Sequence, residues 1–133
     1  MAPAARRADV WRLGVLAALG AWTIVVPYLG RAIGLEVNVA RSVEVVDHVV
    51  PGTLVAAIGA YLAVSAYRNA LPAANQAIGA GICFLAGFWV LATHVSLVAQ
   101  AARGQESWGP TLWHASTAIP IVLLSLWGVL KAW

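Results

Sequence analysis

Four long apolar runs dominate this sequence and limit what it can fold into. They cover residues 13–30, 49–67, 77–102 and 112–130, each with about 18 residues or more. A helix of that length crosses the roughly 30 Å of hydrocarbon in a bilayer. Because backbone groups in lipid must be hydrogen-bonded within the protein, helices are the only reasonable assignment. The sequence therefore predicts an all-α membrane protein with four transmembrane helices, arranged as two tandem helical hairpins.

The composition supports the bilayer as the solvent of this chain. Hydrophobic residues make up 62% of it and charged residues 10%, against roughly 45–50% and 25% in soluble proteins. A soluble fold of 133 residues could not bury so much apolar surface. We expect a short N-terminal segment, 1–12, one transmembrane domain, 13–133, and two outer loops, 31–48 and 103–111.

The basic residues flank the apolar runs singly, so the net charge of +3 does not predict a nucleic-acid partner. Five lie on the side of the termini and three on the other side: Arg6, Arg7, Arg12, Arg68 and Lys131 against Arg31, Arg41 and Arg103. Short loops rich in Lys and Arg stay in the cytoplasm. This distribution predicts a multi-pass protein of a bacterial plasma (inner) membrane with both termini cytoplasmic.

Aromatic side chains lie near the predicted span ends, where amphipathic rings prefer the headgroup region. They are Trp11, Tyr28, Tyr67, Trp108, Trp113 and Trp133. We interpret most of them as interfacial anchors.

Small residues recur at four-residue spacing within two of the spans. They are Gly52, Ala56 and Ala60 in the second span and Gly79, Cys83 and Gly87 in the third. Such stripes let helix backbones approach closely. They predict either helix packing within the chain or a face for a second copy.

The two halves of the chain repeat a common pattern. Gly20-Ala21-Trp22 in the first span matches Gly87-Phe88-Trp89 in the third, and His48 matches His114 at almost the same offset. Each half reads as an apolar helix, a mixed loop and a second apolar helix. This order favours two tandem hairpins of similar structure.

The segment 19–30, LGAWTIVVPYLG, resembles the signature of the SPW-repeat family of small bacterial membrane proteins, a glycine-tryptophan helix that ends in Ser-Pro-Trp. The segment 47–52, DHVVPG, is similar to the start of that family's second helix. Val26-Pro27-Tyr28 stands in place of Ser-Pro-Trp. The resemblance implies two tandem helical-hairpin repeats, and it implies an architecture more than an activity.

Three histidines fall toward the same predicted outer face of the membrane: His48, His94 and His114, with Asp47 beside the first. Neutral imidazoles bind zinc, copper and haem iron, and a neighbouring carboxylate orients or joins such ligands. The candidate cofactor-binding residues are therefore the three histidines, and the candidate metal ligands are the same three with Asp47. The alternative, which the absence of any ligand-type local spacing favours, is that they hydrogen-bond to backbone or headgroups. The sequence itself predicts no cofactor, with haem or a divalent metal as the alternative.

The third span also carries a polar face formed by Thr93, Ser96 and Gln100. Functionally, such a face predicts a polar pathway or a pocket for a quinone headgroup. Structurally, it predicts hydrogen bonds between helices, which is the interpretation that we favour.

Function is constrained mainly by what the sequence lacks: a phosphate-binding glycine loop, a nucleophile elbow and a pair of catalytic carboxylates. We therefore expect a non-enzymatic accessory or scaffold subunit of a membrane assembly. The alternative is a haem-, metal- or quinone-binding subunit that uses the histidines, and a small oligomeric transporter comes third. The expected partners are the lipid bilayer and another membrane protein or a second copy, with segment 31–48 as the docking surface.

Overall fold

The computed structural model describes residues 3–37 and 39–131, with side chains described from residue 9 onward, and it contains helices and no strand in that part of the chain. The helices, in chain order, are α1 (Pro3–Ala32), α2 (Arg41–Glu44), a π-helical segment (Val45–Val49), α3 (Val50–Tyr67), α4 (Ala73–Ala102), α5 (Trp108–Ala115) and α6 (Ala118–Lys131).

Within the described residues, four helical stretches are long and apolar enough to cross a membrane: Asp9–Ala32, Arg41–Tyr67, Ala73–Ala102 and Trp108–Lys131. The predicted all-α fold with four such helices is confirmed, and it is compatible with a multi-pass membrane protein. The second span, formed by α2, the π segment and α3, begins at residue 41 and not at 49, because the valine-rich sequence before His48 continues the helix. Half of the expected outer loop 31–48 is therefore helical.

The helices pack as two hairpins, α1 along α3 and α4 along α6, and contacts between α3 and α4 join the hairpins. Where α1 crosses α3, a Cβ on Gly20 would collide with the backbone nitrogen of Ala56 and lie 2.8 Å from the carbonyl oxygen of Gly52. The small residues of the second span therefore pack within the chain. Ala60 is exposed and does not contribute to the packing of α3 against α1. Gly59 makes the next close contact along this interface, against Ala17.

The third span uses its small residues in the same way. A Cβ on Gly87 would lie 2.6 Å from the side chain of Ile121 in α6, and Cys83 is fully buried in the core. Gly79 packs against Leu62 of α3, where a Cβ would lie 2.9 Å from a methyl group. Both predicted stripes thus serve contacts between helices of one chain.

Trp113 does more than anchor the helix at the interface. Its indole N–H donates to the carbonyl oxygen of Val26 at 2.9 Å, and its ring meets Trp22 edge-on, with centroids 5.8 Å apart. Gly30 makes room for it, because a Cβ there would lie 2.8 Å from the indole nitrogen. These contacts tie α5 to α1 and so fix the position of the next residue, His114. Trp133 lies outside the described residues.

The opposite end of the bundle is closed by charged side chains. Lys131 donates to Asp9 at 2.8 Å, and Arg12 donates to the carbonyl oxygen of Leu124 at 3.1 Å. Both bonds join α1 to α6. The side chains of Arg6 and Arg7, which contribute to the predicted orientation, lie outside the described part of the chain.

Candidate metal centre

Three of the four spans each contribute one histidine to a single buried cluster. His48, His94 and His114 are 2%, 3% and 0% exposed. Their ring centroids lie 4.9 Å (His48 to His94), 5.2 Å (His48 to His114) and 6.3 Å (His94 to His114) apart. One ligand nitrogen from each ring lies within 4.8 Å of the other two. The structure therefore brings together all three candidate histidines.

The cluster lies inside the bundle at the end where α1 stops and α2 begins. Each histidine is about two helical turns, roughly 9–12 Å, from the end of its span. The predicted spans 49–67 and 112–130 placed His48 and His114 at the start of their helices. They lie deeper because both spans begin earlier than the apolar runs do, at Arg41 and Trp108. Ionisable groups at such depth are costly and commonly mark a functional site.

The backbone around His48 is π-helical from Val45 to Val49, and Val50 donates its N–H to the carbonyl oxygen of Val45. Pro51 gives a local reason, because it has no N–H to donate to the carbonyl of Asp47, the bond that an α-helix would require. Wider π turns are rare and concentrate at functional sites. Here the wider turn carries the histidine that lies closest to both other rings.

His94 is held by its own helix. Its Nδ1 lies 2.6 Å from the carbonyl oxygen of Val90. A carbonyl only accepts hydrogen bonds, so Nδ1 carries the proton and Nε2 keeps its lone pair. A backbone carbonyl on one ring nitrogen is the usual arrangement for a histidine whose other nitrogen binds a metal.

His48 and His114 are buried with no hydrogen bond from the protein to either ring nitrogen. The backbones of Glu44 and His114 lie near the ring of His48, and that of Leu35 lies near the ring of His114, but all three are outside hydrogen-bonding geometry. A buried polar group without a partner costs about 1–3 kcal/mol. Two such rings side by side therefore need an explanation, and a shared ligand supplies one.

The spacing of the rings suits a small ion. The ring centroids lie 4.9–6.3 Å apart, and imidazoles bound to one tetrahedral zinc ion have centroids about 5 Å apart. The ligand nitrogens, which lie within 4.8 Å of one another, would stand about 3.4 Å apart around a tetrahedral ion. Binding would therefore require each ligand nitrogen to move inward by about an ångström.

The histidines open onto a cavity of about 180 Å³. Its polar lining consists of three carboxylates and three uncharged side chains: Glu44, Asp47, Glu106, Thr93, Ser96 and Gln100. Among the described residues no Lys or Arg lines it, so the cavity attracts cations.

Asp47, the fourth candidate ligand from the sequence, lines this cavity but is not among the converging ligand atoms. Glu44, which sequence reasoning did not single out, also lines the cavity and, like Asp47, is not among the converging ligand atoms. It is 5% exposed, and its Oε1 has no hydrogen-bond partner. The available signal was the spacing Glu44-x-x-x-His48, which places a carboxylate and an imidazole on one face of a helix.

The polar face of α4 does not make the hydrogen bonds between helices that we favoured from the sequence. The hydroxyl of Thr93 donates to the carbonyl of Val90 at 3.1 Å, and the hydroxyl of Ser96 to that of Thr93 at 3.4 Å. These bonds stay within α4 and do not join helices. The face therefore serves as one wall of the cavity.

No protein-family model, curated protein or solved structure matches this chain. The resemblance to the SPW-repeat family therefore stays a prediction.

Proposed function

We propose that this chain is a metal-binding membrane protein that holds one divalent transition-metal ion through His48, His94 and His114. The observation that carries the proposal is the convergence of three buried imidazoles, two of which have no partner within the protein. Three neutral imidazoles are a common ligand set for such ions.

The donor set favours Zn²⁺ and chemically similar ions such as Co²⁺ and Ni²⁺. Imidazole suits these metals, whereas thiolate and thioether ligands select Cu⁺. The one cysteine, Cys83, packs with Leu16, Val55 and Ile121 in the hydrophobic core. It is not part of the cluster, so a soft ligand from this thiol is absent from the site.

Haem fits this site poorly. The rings of His94 and His114 are nearly parallel, at 25°, and their separation would suit the two axial ligands of a haem. The ring of His48, however, lies 4.9 Å from that of His94 and 5.2 Å from that of His114. A haem between His94 and His114 would therefore collide with His48. The cavity of about 180 Å³ is also small beside the roughly 300–1,000 Å³ of ordinary organic-ligand pockets. The same size argument weighs against a quinone.

The predicted orientation would place the ion near the outer face of a bacterial plasma membrane, so that it is acquired from outside the cytoplasm. We propose that the protein serves there as a metal-holding accessory subunit, which keeps the expectation of a non-enzymatic role. The small-residue faces through which a scaffold could pack against a partner are used within the chain. A site near one end of the bundle also does not support transport, since transporter sites lie near the midplane.

A cobalt titration tests this function. Protein purified in mild detergent and stripped with a chelator should bind one Co²⁺ per chain and develop the visible absorption of a low-coordinate cobalt site. The matched control is the triple variant His48→Ala, His94→Ala and His114→Ala, checked for helix content by circular dichroism. A wild-type protein that binds no cobalt, or a folded triple variant that binds it equally well, would overturn the proposal.

A further inference from the structure

We propose that Glu44 supplies the fourth ligand to the ion, and that Arg31 competes with the ion for the same carboxylate. This inference rests on the proposed three-histidine site. It deepens that site by naming its anionic ligand and a device within the chain that regulates its affinity.

The position of Glu44 is the first support. It lies one helical turn before His48 on the same face of the second span, and both side chains line the cavity. Glu44 is 5% exposed, and Oε1 is buried without a hydrogen-bond partner. A buried carboxylate oxygen in that state needs a cation or a donor. The histidine cluster opens onto the same cavity and is the proposed site for such a cation.

The second support is the weak ion pair between Arg31 and the other carboxylate oxygen of Glu44, Oε2. Arg31 lies 3.4 Å from Oε2 of Glu44 and 3.3 Å from a carboxylate oxygen of Glu36. Charge-assisted N–H···O bonds are usually about 2.7–2.9 Å long, so the 3.4 Å contact between Arg31 and Glu44 is loose. The Arg31 side chain is also 51% exposed, whereas that of Glu44 is 5% exposed. Arg31 on Oε2 and an ion on Oε1 share the negative charge of one carboxylate and repel each other, so Arg31 lowers the affinity of Glu44 for the ion while it keeps Glu36 as a second partner.

Four protein ligands have a chemical consequence. Sites with three ligands keep a position open for water or substrate, whereas four ligands close the tetrahedron around zinc. A carboxylate also removes one unit of the charge of a buried M²⁺ ion. The structure thus favours a site that stores or senses Zn²⁺ over one that catalyses a reaction.

The test compares Co²⁺ affinity and visible spectra among wild type, Glu44→Gln, Arg31→Gln and the double variant. Glu44→Gln should weaken binding at least about 10-fold and change the spectrum, since it removes a ligand. Arg31→Gln should tighten binding by about 2–5-fold, because it removes a competitor. The double variant should match Glu44→Gln within about 2-fold, since Arg31 acts only through Glu44.

Glu106→Gln is the matched control, since it removes one negative charge from the same cavity without touching the proposed ligand set. It should change affinity by less than about 3-fold. If wild type binds one Co²⁺ and Glu44→Gln binds it equally well, this inference fails and the three-histidine site stands. If Arg31→Gln weakens binding, the ion pair is structural and the inference also fails, even where Glu44→Gln does not fold. If wild type binds no Co²⁺, the proposed function fails, and this inference fails with it.

Discussion

Changing any one of the three histidines to alanine is expected to weaken Co²⁺ or Zn²⁺ binding at least about 100-fold, more than the 10–100-fold typical of groups that only support a ligand. The expectation follows from the equivalence of the rings: each comes from a different span, each is at least 97% buried, and none is duplicated elsewhere in the chain. Affinity is measured by competition with a chromophoric chelator. The ion should also raise the melting temperature of wild type and leave that of each variant unchanged.

Two further variants separate loss of a ligand from loss of packing. Histidine to glutamine keeps much of the volume and polarity but supplies a poor metal ligand, so it should reproduce the effect of alanine on affinity. Cys83→Ala makes a cavity in the core away from the cluster and should lower stability without changing affinity. A protein in which one histidine variant binds the ion as tightly as wild type would show that this ring is not a ligand.

Changing Gly20 to leucine is expected to force α1 away from α3 and to destabilise the protein by about 1–3 kcal/mol or more. A Cβ at this position meets the backbone of Ala56, Gly52 and Val55, not flexible side-chain ends. The helices therefore cannot relax locally. Because Gly52 lies one turn after His48, the displacement should also weaken metal binding. Unfolding in mixed detergent micelles measures the change.

Gly14 provides the matched control on the same helix. A Cβ there would meet nothing within 4 Å, so Gly14→Leu should leave both stability and metal affinity close to those of wild type. Equal destabilisation by the two substitutions would mean that close packing at Gly20 is not what holds α1 on α3.

The four-helix fold could be predicted because it depends on run length and hydropathy, which are local properties of the sequence. The positions of the spans were harder to predict, because the mixed sequence before His48 is too short of apolar residues to join the run 49–67, and the structure shows that the helix continues through it. The roles of Gly52 and Gly87 also required the structure. A stripe of small residues is equally consistent with a partner inside the chain or a second copy, and only the packing distinguishes them.

The three histidines of the candidate site were singled out from the sequence, but their geometry was not predicted. His48, His94 and His114 were singled out because they share a depth, and a common depth says nothing about which way each ring faces. Their orientation depends on the π turn before Pro51 and on the bond between Trp113 and Val26, which joins residues far apart in sequence. Glu44 was missed because segment 31–48 was interpreted as an outer docking surface and not as the first turns of the second span.

The most direct test of the metal site is the metal content of the protein purified in mild detergent from its native membranes. Iron, copper, zinc, cobalt and nickel would be measured per chain by mass spectrometry, beside the triple histidine-to-alanine variant prepared in the same way. We expect close to one divalent ion per wild-type chain, with zinc the leading candidate, and a loss of that ion in the variant. Trace metal in both preparations, or equal metal in both, would contradict the assignment of the three histidines as a metal site.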